Sequence, residues 1–570
     1  MQNKEIANIF WNVAELLELK SDNPFKIRAY QKAARNIESL NHTLKEIYAQ
    51  GGLPALEEVP GIGKSMADHI EEILKTGKLK KLTELQKAFP KNFVELVNIP
   101  GMGPKTTLLL HDKLGINSPE KLEKAIKSGK LKGLPGMGEK KEANILRGIE
   151  LKKKSHGRFL LDEATAHAAL IVEELGQLKE ADKILPCGSL RRGKETIGDI
   201  DILVVSNQPD IVMDKFCGLS MVKEILAKGK TKSSVILRNA MEADLRVVEA
   251  QSFGAASHYF TGSKEHNIHL RQLAKQKGWK VSEYGIFHGE KQIGGETEKE
   301  MFAKFGLQYI PPELREMRGE FEAATKGQIP ELIELKEIKG DLHMHTTASD
   351  GRNSIEEMAM AAKAKGYEYI LITDHTVSTR IAHGLKEADM SKHLRKIREA
   401  SAKVKGIKIL AGAEVDIKPD GSLDYSDDLL KQLDIVLISI HSSFKMPEDK
   451  MTNRIIKAMQ NPYANIFTHP TGRLIGEREA YALDMEKILL TAKENNVGME
   501  INAHPKRLDL NDVYCKRAKE LGVKIVINTD AHSVSQLDLM QYGVITARRG
   551  WLEAKDVLNT YSLEKLLKAI

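Results

Sequence analysis

Gly188-Ser189-Leu190-Arg191-Arg192-Gly193-Lys194-Glu195-Thr196-Ile197-Gly198-Asp199-Ile200-Asp201-Ile202-Leu203-Val204 is a compact piece of chemistry. A Gly-Ser turn leads past two arginines into an apolar strand, and Asp199 and Asp201 sit two apart on that strand. Side chains alternate faces along a strand, so both carboxylates point the same way. Two acids side by side repel unless a cation lies between them. Hard oxygen ligands at this spacing suit Mg²⁺, which takes a few carboxylates together with substrate phosphates. The turn just upstream can offer backbone N–H groups and a hydroxyl to those phosphates. A second short strand pattern, Glu242 to Val248, supplies Asp244 as the candidate third ligand. A bare Asp-x-Asp reads more simply as two solvated aspartates on an edge strand. The turn, the arginines and the later aspartate together carry the metal reading.

This pattern resembles the nucleotidyltransferase superfamily. The continuation Tyr259-Phe260-Thr261-Gly262-Ser263 narrows the resemblance to family X DNA polymerases, the group of DNA polymerase beta. The resemblance implies a palm at 155–260 and a thumb at 261–318. It also implies two Mg²⁺ ions held by Asp199, Asp201 and Asp244, with Asp244 nearest the primer. Gly188, Ser189 and Arg192 match residues that bind the triphosphate. Tyr259, Phe260, Gly262 and Ser263 match the turn that closes on the sugar of the incoming nucleotide. Asn267 and Arg271 match contacts to the nascent pair and the template. Lys264 stands where polymerase beta has an acid.

The whole chain has 570 residues, a net charge of +7 and 41% hydrophobic residues, enough for several domains with ordinary cores. No apolar run reaches the length of a membrane span, and the start lacks the plan of a signal peptide. Cys187, Cys217 and Cys515 are far apart and form no metal or disulfide pattern. A reducing, cytoplasmic setting is expected.

The positive charge is concentrated: residues 1–154 carry +8 and the remainder −1. That region reads as amphipathic helices with an internal repeat at Pro60-Gly61-Ile62-Gly63-Lys64, Pro100-Gly101-Met102-Gly103-Pro104 and Pro135-Gly136-Met137-Gly138-Glu139. Each copy follows an apolar segment and precedes a helix, whose free N–H groups attract phosphate. This is the helix-hairpin-helix plan for holding a DNA backbone without reading bases. It singles out Gly61, Gly63, Lys64, Gly101 and Gly103. The first copy resembles the lyase domain of polymerase beta, which adds Lys26 and Lys78 as phosphate contacts. His69 falls where the family has its Schiff-base lysine, and imidazole cannot form that imine.

From Gly340 a second enzyme is expected, after a charged connector at 319–339. Nine of the eighteen histidines lie beyond 340. Short β-branched strands ending in polar residues alternate with helical stretches, which indicates a β/α barrel with function at the strand ends. The strand-end residues are His343 and His345, then His375, Glu414, His441, His469, Asp530 and His532, with Asp350 nearby. Burying them without metal would leave too many polar groups unpartnered. Mixed imidazole and carboxylate ligation fits Mn²⁺, Zn²⁺ or Fe²⁺. His383, His393 and His504 read first as ordinary core or surface residues. The set resembles the PHP (polymerase and histidinol phosphatase) domain, which implies up to three ions. By that resemblance His343, His345, Glu414 and Asp530 hold the first ion. Glu414, His441 and His469 hold the second, and Asp350, His375 and His532 the third.

The expected fold is therefore multidomain, α+β and α/β. Helix-hairpin-helix domains span 1–90 and 91–154, a nucleotidyltransferase palm and thumb follow, and a distorted PHP barrel covers 340–570. The expected function is a monomeric DNA polymerase that fills short gaps in gapped or primer-template DNA from dNTPs. The PHP domain would add a Mn²⁺- or Zn²⁺-dependent 3′→5′ exonuclease and abasic-site cutting. Two rivals remain: a DNA-holding module in which only the PHP domain turns over, and a PHP phosphatase for small esters.

Overall fold

The structure is a computed structural model. It describes residues 158–570 throughout and, before them, 23–38, 44–59, 61–87, 104–131 and scattered residues from 6 to 17 and among those ranges. Two compact units divide the chain at Lys154–Ser155. No helix among the described residues is long and apolar enough to cross a membrane.

In the first unit, helices Pro24–Glu38, Leu44–Glu57, Lys64–Thr76 and Lys80–Lys87 carry apolar stripes. Phe10, Ile37, Leu56, Ile70 and Ile73 share one core. Leu44–Glu57 is kinked at Gly52, two residues before Pro54, whose ring a regular helix cannot accommodate. Helix Lys64–Thr76 follows Gly61, which takes φ 80°, and ends at Gly77 in the left-handed region. A second core gathers Leu96, Leu110, Leu122, Leu131 and Ile145.

In the second unit, β1 (Phe159–Leu160) pairs antiparallel with β3 (Thr196–Ile197). The following helix runs from Leu161 to Leu175, directly after the residues that serve this ribbon. The main palm sheet comprises β2 (Lys183–Pro186), β4 (Asp199–Val205), β5 (Val222–Lys228), β6 (Lys232–Leu237) and β7 (Glu242–Val248). Their order is β2-β4-β7-β6-β5, and only the β4–β7 pair is parallel. Helix Phe253–Thr261 leads to helix Lys264–Gln276 and to the small sheet of β8 (Lys280–Ser282), β9 (Gly285–His288) and β10 (Lys291–Gly294). Residues 319–339, expected as a charged connector, hold a helix at Glu320–Thr325 whose Phe321 and Ala324 are buried in the thumb core.

The C-terminal strands are β11 (Gly340–Met344), β12 (Tyr369–Ile372), β13 (Lys408–Asp416), β14 (Ile435–Ser439), β15 (Ile466–Phe467), β16 (Gly498–Asn502) and β17 (Ile525–Asn528). They run parallel in sequence order. A parallel bridge from Met344 to Ala531 joins the last strand to the first, and His345 N donates to Ala531 O at 2.8 Å. The expected distorted β/α barrel is thus present. Helices cover it, so its strands are almost entirely buried.

Helix Met540–Arg549 lies tight on this barrel. A Cβ added at Gly543 would overlap Ile527 Cγ2 and meet Ala503 Cβ at 2.8 Å. Gly543→Val is expected to destabilise the protein by about 1–3 kcal/mol, as overpacking does, read from the denaturant midpoint.

Candidate active sites

The palm site is built by strand register. β4 and β7 run parallel with Asp201 directly beside Asp244 and Asp199 beside Glu242. Period-two alternation turns Asp199 and Asp201 to one face, and the register brings Asp244 to the same place. Burial, then repulsion from Asp199 and Asp244, pushes the Asp201 carboxyl up to about 7. Lys232 Nζ on β6 lies 2.5 Å from Asp244 Oδ2, while Asp244 Oδ1 is buried without a partner. Three crowded carboxylates, one oxygen orphaned and one held by a lysine, suit a divalent cation.

A cleft of about 470 Å³ opens beside these acids. Gly188, Ser189, Arg192, Asp199, Asp201, Tyr259, Phe260, Gly262, Asn267 and Arg271 line it, together with Arg158, Lys194 and Lys264. Gly188 takes φ 61°, and a Cβ there would overlap Asp201 Oδ2, so the turn closes on the acids only with glycine. Asn267 Nδ2 donates to Tyr259 O at 2.7 Å and anchors the end of helix Phe253–Thr261. Ser263 is buried and caps the next helix, accepting from His266 N, so it does not line the cleft. Asp244 is also absent from the lining. Arg158, at the ribbon that flanks the cleft, was missed because a lone arginine carries no pattern.

The barrel site gathers strand-end side chains around Glu414, which is fully buried. His375 Nδ1 lies 2.9 Å from Glu414 Oε2, His469 Nε2 2.7 Å from Oε1, and His441 Nε2 3.3 Å from Oε1. His343 and His345 stand 3.5 and 3.6 Å from Oε2. Three groups converge closely enough to ligate an ion: His345, Asp350, His375 and His532; His343, His345 and Asp530; and His375, Glu414 and His441. His345 and His375 each belong to two groups, a sharing absent from the resemblance-based allocation. His375 Nδ1 and Glu414 Oε2 are close but not aligned for a hydrogen bond, and with His343 Nε2 and His345 Nδ1 they are buried without one, a state cations would relieve. His469 (φ 29°) and Asp530 (φ 54°) sit in left-handed backbone, strain that suits a functional strand end.

Several supporting acids escaped the sequence. Glu500 on β16 is buried and lies 2.7 Å from His343 Nδ1, while its other oxygen accepts from His469 N at 2.7 Å. Asp416 on β13 sits 3.0 Å from His441 Nδ1. Asp374 is bonded to His393 Nε2 at 2.8 Å, which confirms His393 as a core residue; His383 is exposed and His504 half-buried. Such carboxylates orient ligating imidazoles. An acid inside the apolar run of β16 was the available signal for Glu500. Charge in this space is strongly coupled. Burial opposes the cation on His441, yet Glu414 and Asp416 outweigh it and raise the group to about 10. Burial and the neighbouring His532 and His375 push His345 down to about 4.

In the first unit, Lys26, Gly63, Lys64 and Lys78 are exposed and Gly61 is half-buried. Gly101 and Gly103 lie outside the described residues. His69 stacks on Tyr30 at 5.7 Å, with its Nδ1 3.1 Å from the tyrosine hydroxyl, and burial lowers its pKa.

Two outcomes follow. In EDTA, wild-type stability falls as pH rises through about 7, because folding raises the Asp201 pKa from its ordinary 3.8 and the folded state then holds the extra proton. Asp201→Asn should raise the melting temperature relative to wild type at pH 8 and bring no gain at pH 4. Glu500→Gln should weaken Mn²⁺ or Zn²⁺ binding to the barrel by about 10–100-fold, measured by calorimetric titration.

Family models match the chain along most of its length. A helix-hairpin-helix domain matches 1–79 and a SAM-like helix-hairpin-helix tandem 93–152. DNA polymerase beta palm matches 158–271, DNA polymerase beta thumb 256–316, and PHP domain 341–504. The DNA polymerase/3′-5′ exonuclease PolX of Bacillus subtilis (strain 168) is 42% identical over 99% of this chain and 98% of its own. A probable phosphatase of Thermoanaerobacter sp. (strain X514) is 33% identical over 39% of this chain and 89% of its own. A crystal structure of Leishmania infantum polymerase beta in a ternary P/T complex matches with 23% identity and a TM-score of 0.27, covering 40% of this chain and 98% of that one. Whole-length identity to the Bacillus protein, on a polymerase beta palm and thumb joined to a PHP barrel, shows that the chain belongs to the family X DNA polymerases with a C-terminal PHP domain.

Proposed function

We propose that the palm cleft adds deoxynucleotides to a primer 3′ end in short gaps, in repair of the base-excision type, and that the barrel shortens DNA from the 3′ end. The carrying observation is the register that places Asp201 beside Asp244 at the edge of a basic cleft. The 42% identity to a DNA polymerase/3′-5′ exonuclease over the full length supports both activities in one chain.

In the palm, Asp199, Asp201 and Asp244 would hold Mg²⁺, which supplies charge for the leaving phosphate and acidifies the primer hydroxyl. Gly188 and Ser189 offer an N–H and a hydroxyl to the triphosphate, and Arg192 offers its guanidinium. The Tyr259–Gly262 turn, held by Asn267, bounds the sugar. Asp244 accepts the primer proton once Lys232 releases its Oδ2. In the barrel, the strand-end histidines with Asp350, Glu414 and Asp530 would hold up to three Mn²⁺ or Zn²⁺ ions, the class that the mixed donor set favours. Glu500 and Asp416 fix the rings of His343 and His441. Lys26, Lys64 and Lys78, with the hairpin glycines, hold the DNA backbone, and the packed His69 leaves no amine for a lyase imine at that position. A cytoplasmic monomer acting on gapped duplex and dNTPs fits these features.

The decisive assay uses a gapped duplex with a labelled primer, with and without dNTPs, in Mg²⁺ and in Mn²⁺. Asp199→Ala/Asp201→Ala should lose extension by at least about 10³-fold and keep shortening. His343→Ala/His345→Ala should lose shortening and keep extension. Extension by the first variant would refute the palm assignment. Hydrolysis of a small phosphate ester, with none at DNA ends, would make the barrel a phosphatase instead.

A further inference from the structure

The guanidinium of Arg192 is tied to the thumb and, through it, to the barrel. Its Nε donates to Glu316 Oε1 at 3.0 Å and its Nη1 to the carbonyl of Thr261 at 2.5 Å. Arg549, the last residue of barrel helix Met540–Arg549, donates from Nη1 to that same Glu316 oxygen at 3.1 Å and to Arg192 O at 2.6 Å. Arg549 is only 3% exposed, and its Nη2 is fixed by Asp512 at 2.6 Å. The neighbouring loop is pressed onto the same helix: a Cβ at Gly193 would overlap Ile545 Cγ2. Glu195 completes the dock with a two-pronged pair to Arg473, at 2.6 and 3.1 Å.

We propose that Glu316 and Arg549 are positioning residues of the polymerase site, through which the PHP barrel sets the Arg192 guanidinium for the triphosphate. The inference rests on the reading of Arg192 as a phosphate ligand. A free arginine loses rotamer entropy when it is ordered. Fixing Nε and Nη1 in advance removes that cost from nucleotide binding. The sign of the charge matters as well. Glu316 alone would set a carboxylate beside a polyanion, and Arg549 offsets it; with Asp512 and its second partner Arg318 included, three arginines face two carboxylates and the network carries one positive charge. Loss of Arg549 therefore loosens Glu316, which holds Nε, and leaves its repelling charge without a second partner. Loss of both Glu316 and Arg549 releases Nε without leaving that charge, while Nη1 keeps the Thr261 carbonyl.

The test is single-nucleotide insertion on a gapped duplex whose primer ends in a phosphorothioate linkage, which resists shortening. Arg549→Ala should raise KM for dNTP about tenfold, with kcat changed by less than about twofold. Arg549→Lys should recover part of that loss. Glu316→Ala/Arg549→Ala should bind dNTP better than Arg549→Ala, a coupling between neighbours that independent effects would not give. An unchanged KM in Arg549→Ala overturns the inference. So does a parallel fall in kcat and melting temperature that lysine does not rescue, since that is a folding defect. Arg192→Ala separates the two levels: if it leaves KM unchanged, the phosphate reading of Arg192 has failed and the positioning role falls with it.

Discussion

Glu414 is a carboxylate with almost no contact with water, and five imidazoles crowd its two oxygens. An isolated charge in that position would be unaffordable, so the barrel is arranged around compensating it. His343, His375, His441 and His469 reach it from the ends of β11, β12, β14 and β15, and Glu414 itself comes from β13. Only a closed parallel sheet brings that many consecutive strand ends to one rim. Closure depends on the pairing of β11 with the segment after β17, and that segment also carries Asp530 and His532. The same segment that seals the barrel through Ala531 therefore completes its charge balance through Asp530 and His532.

The palm solves the same problem with fewer partners. Its acids are less enclosed, and a single lysine, Lys232, takes up part of the repulsion. That lysine comes from β6, the neighbour of β7, and its register opposite Arg246 carries it past Asp244. One site thus balances negative charge with many weak bases held permanently in place. The other uses strong bases on long side chains, Lys232 in contact with Asp244 and Arg192 close by.

Much of this was readable in the chain because the informative periods are local. Asp199 and Asp201 declare a shared face by spacing alone, and the strand-end histidines stand out against β-branched runs. What was hidden depends on distant pairing. No local feature sets Asp244 opposite Asp201, since that register belongs to β4 and β7 together. The sharing of His345 and His375 between ligand groups needs coordinates for the same reason. Glu500, Asp374 and Asp416 looked like ordinary acids until their imidazole partners were placed beside them. Ser263 was read as a pocket residue, but its hydroxyl faces the first turn of the following helix. The reading of 319–339 as a connector followed its charge, while Phe321 and Ala324 decide its packing.

The boundary between palm and barrel has a bearing on how the protein folds. Leu508 and Tyr542 of the barrel lie in the same apolar cluster as Leu161, Ile171 and Phe216 of the palm, and Ile475 and Ile545 pack against it. No solvent layer separates the two halves there. A chain released from synthesis as far as residue 339 would present that cluster to water, with an open patch suited to association rather than to solubility. The palm consequently completes this packing only once helix Met540–Arg549 is in place. The two halves thus form one compact unit with a shared apolar cluster, so cutting the chain between them would require a different surface on each.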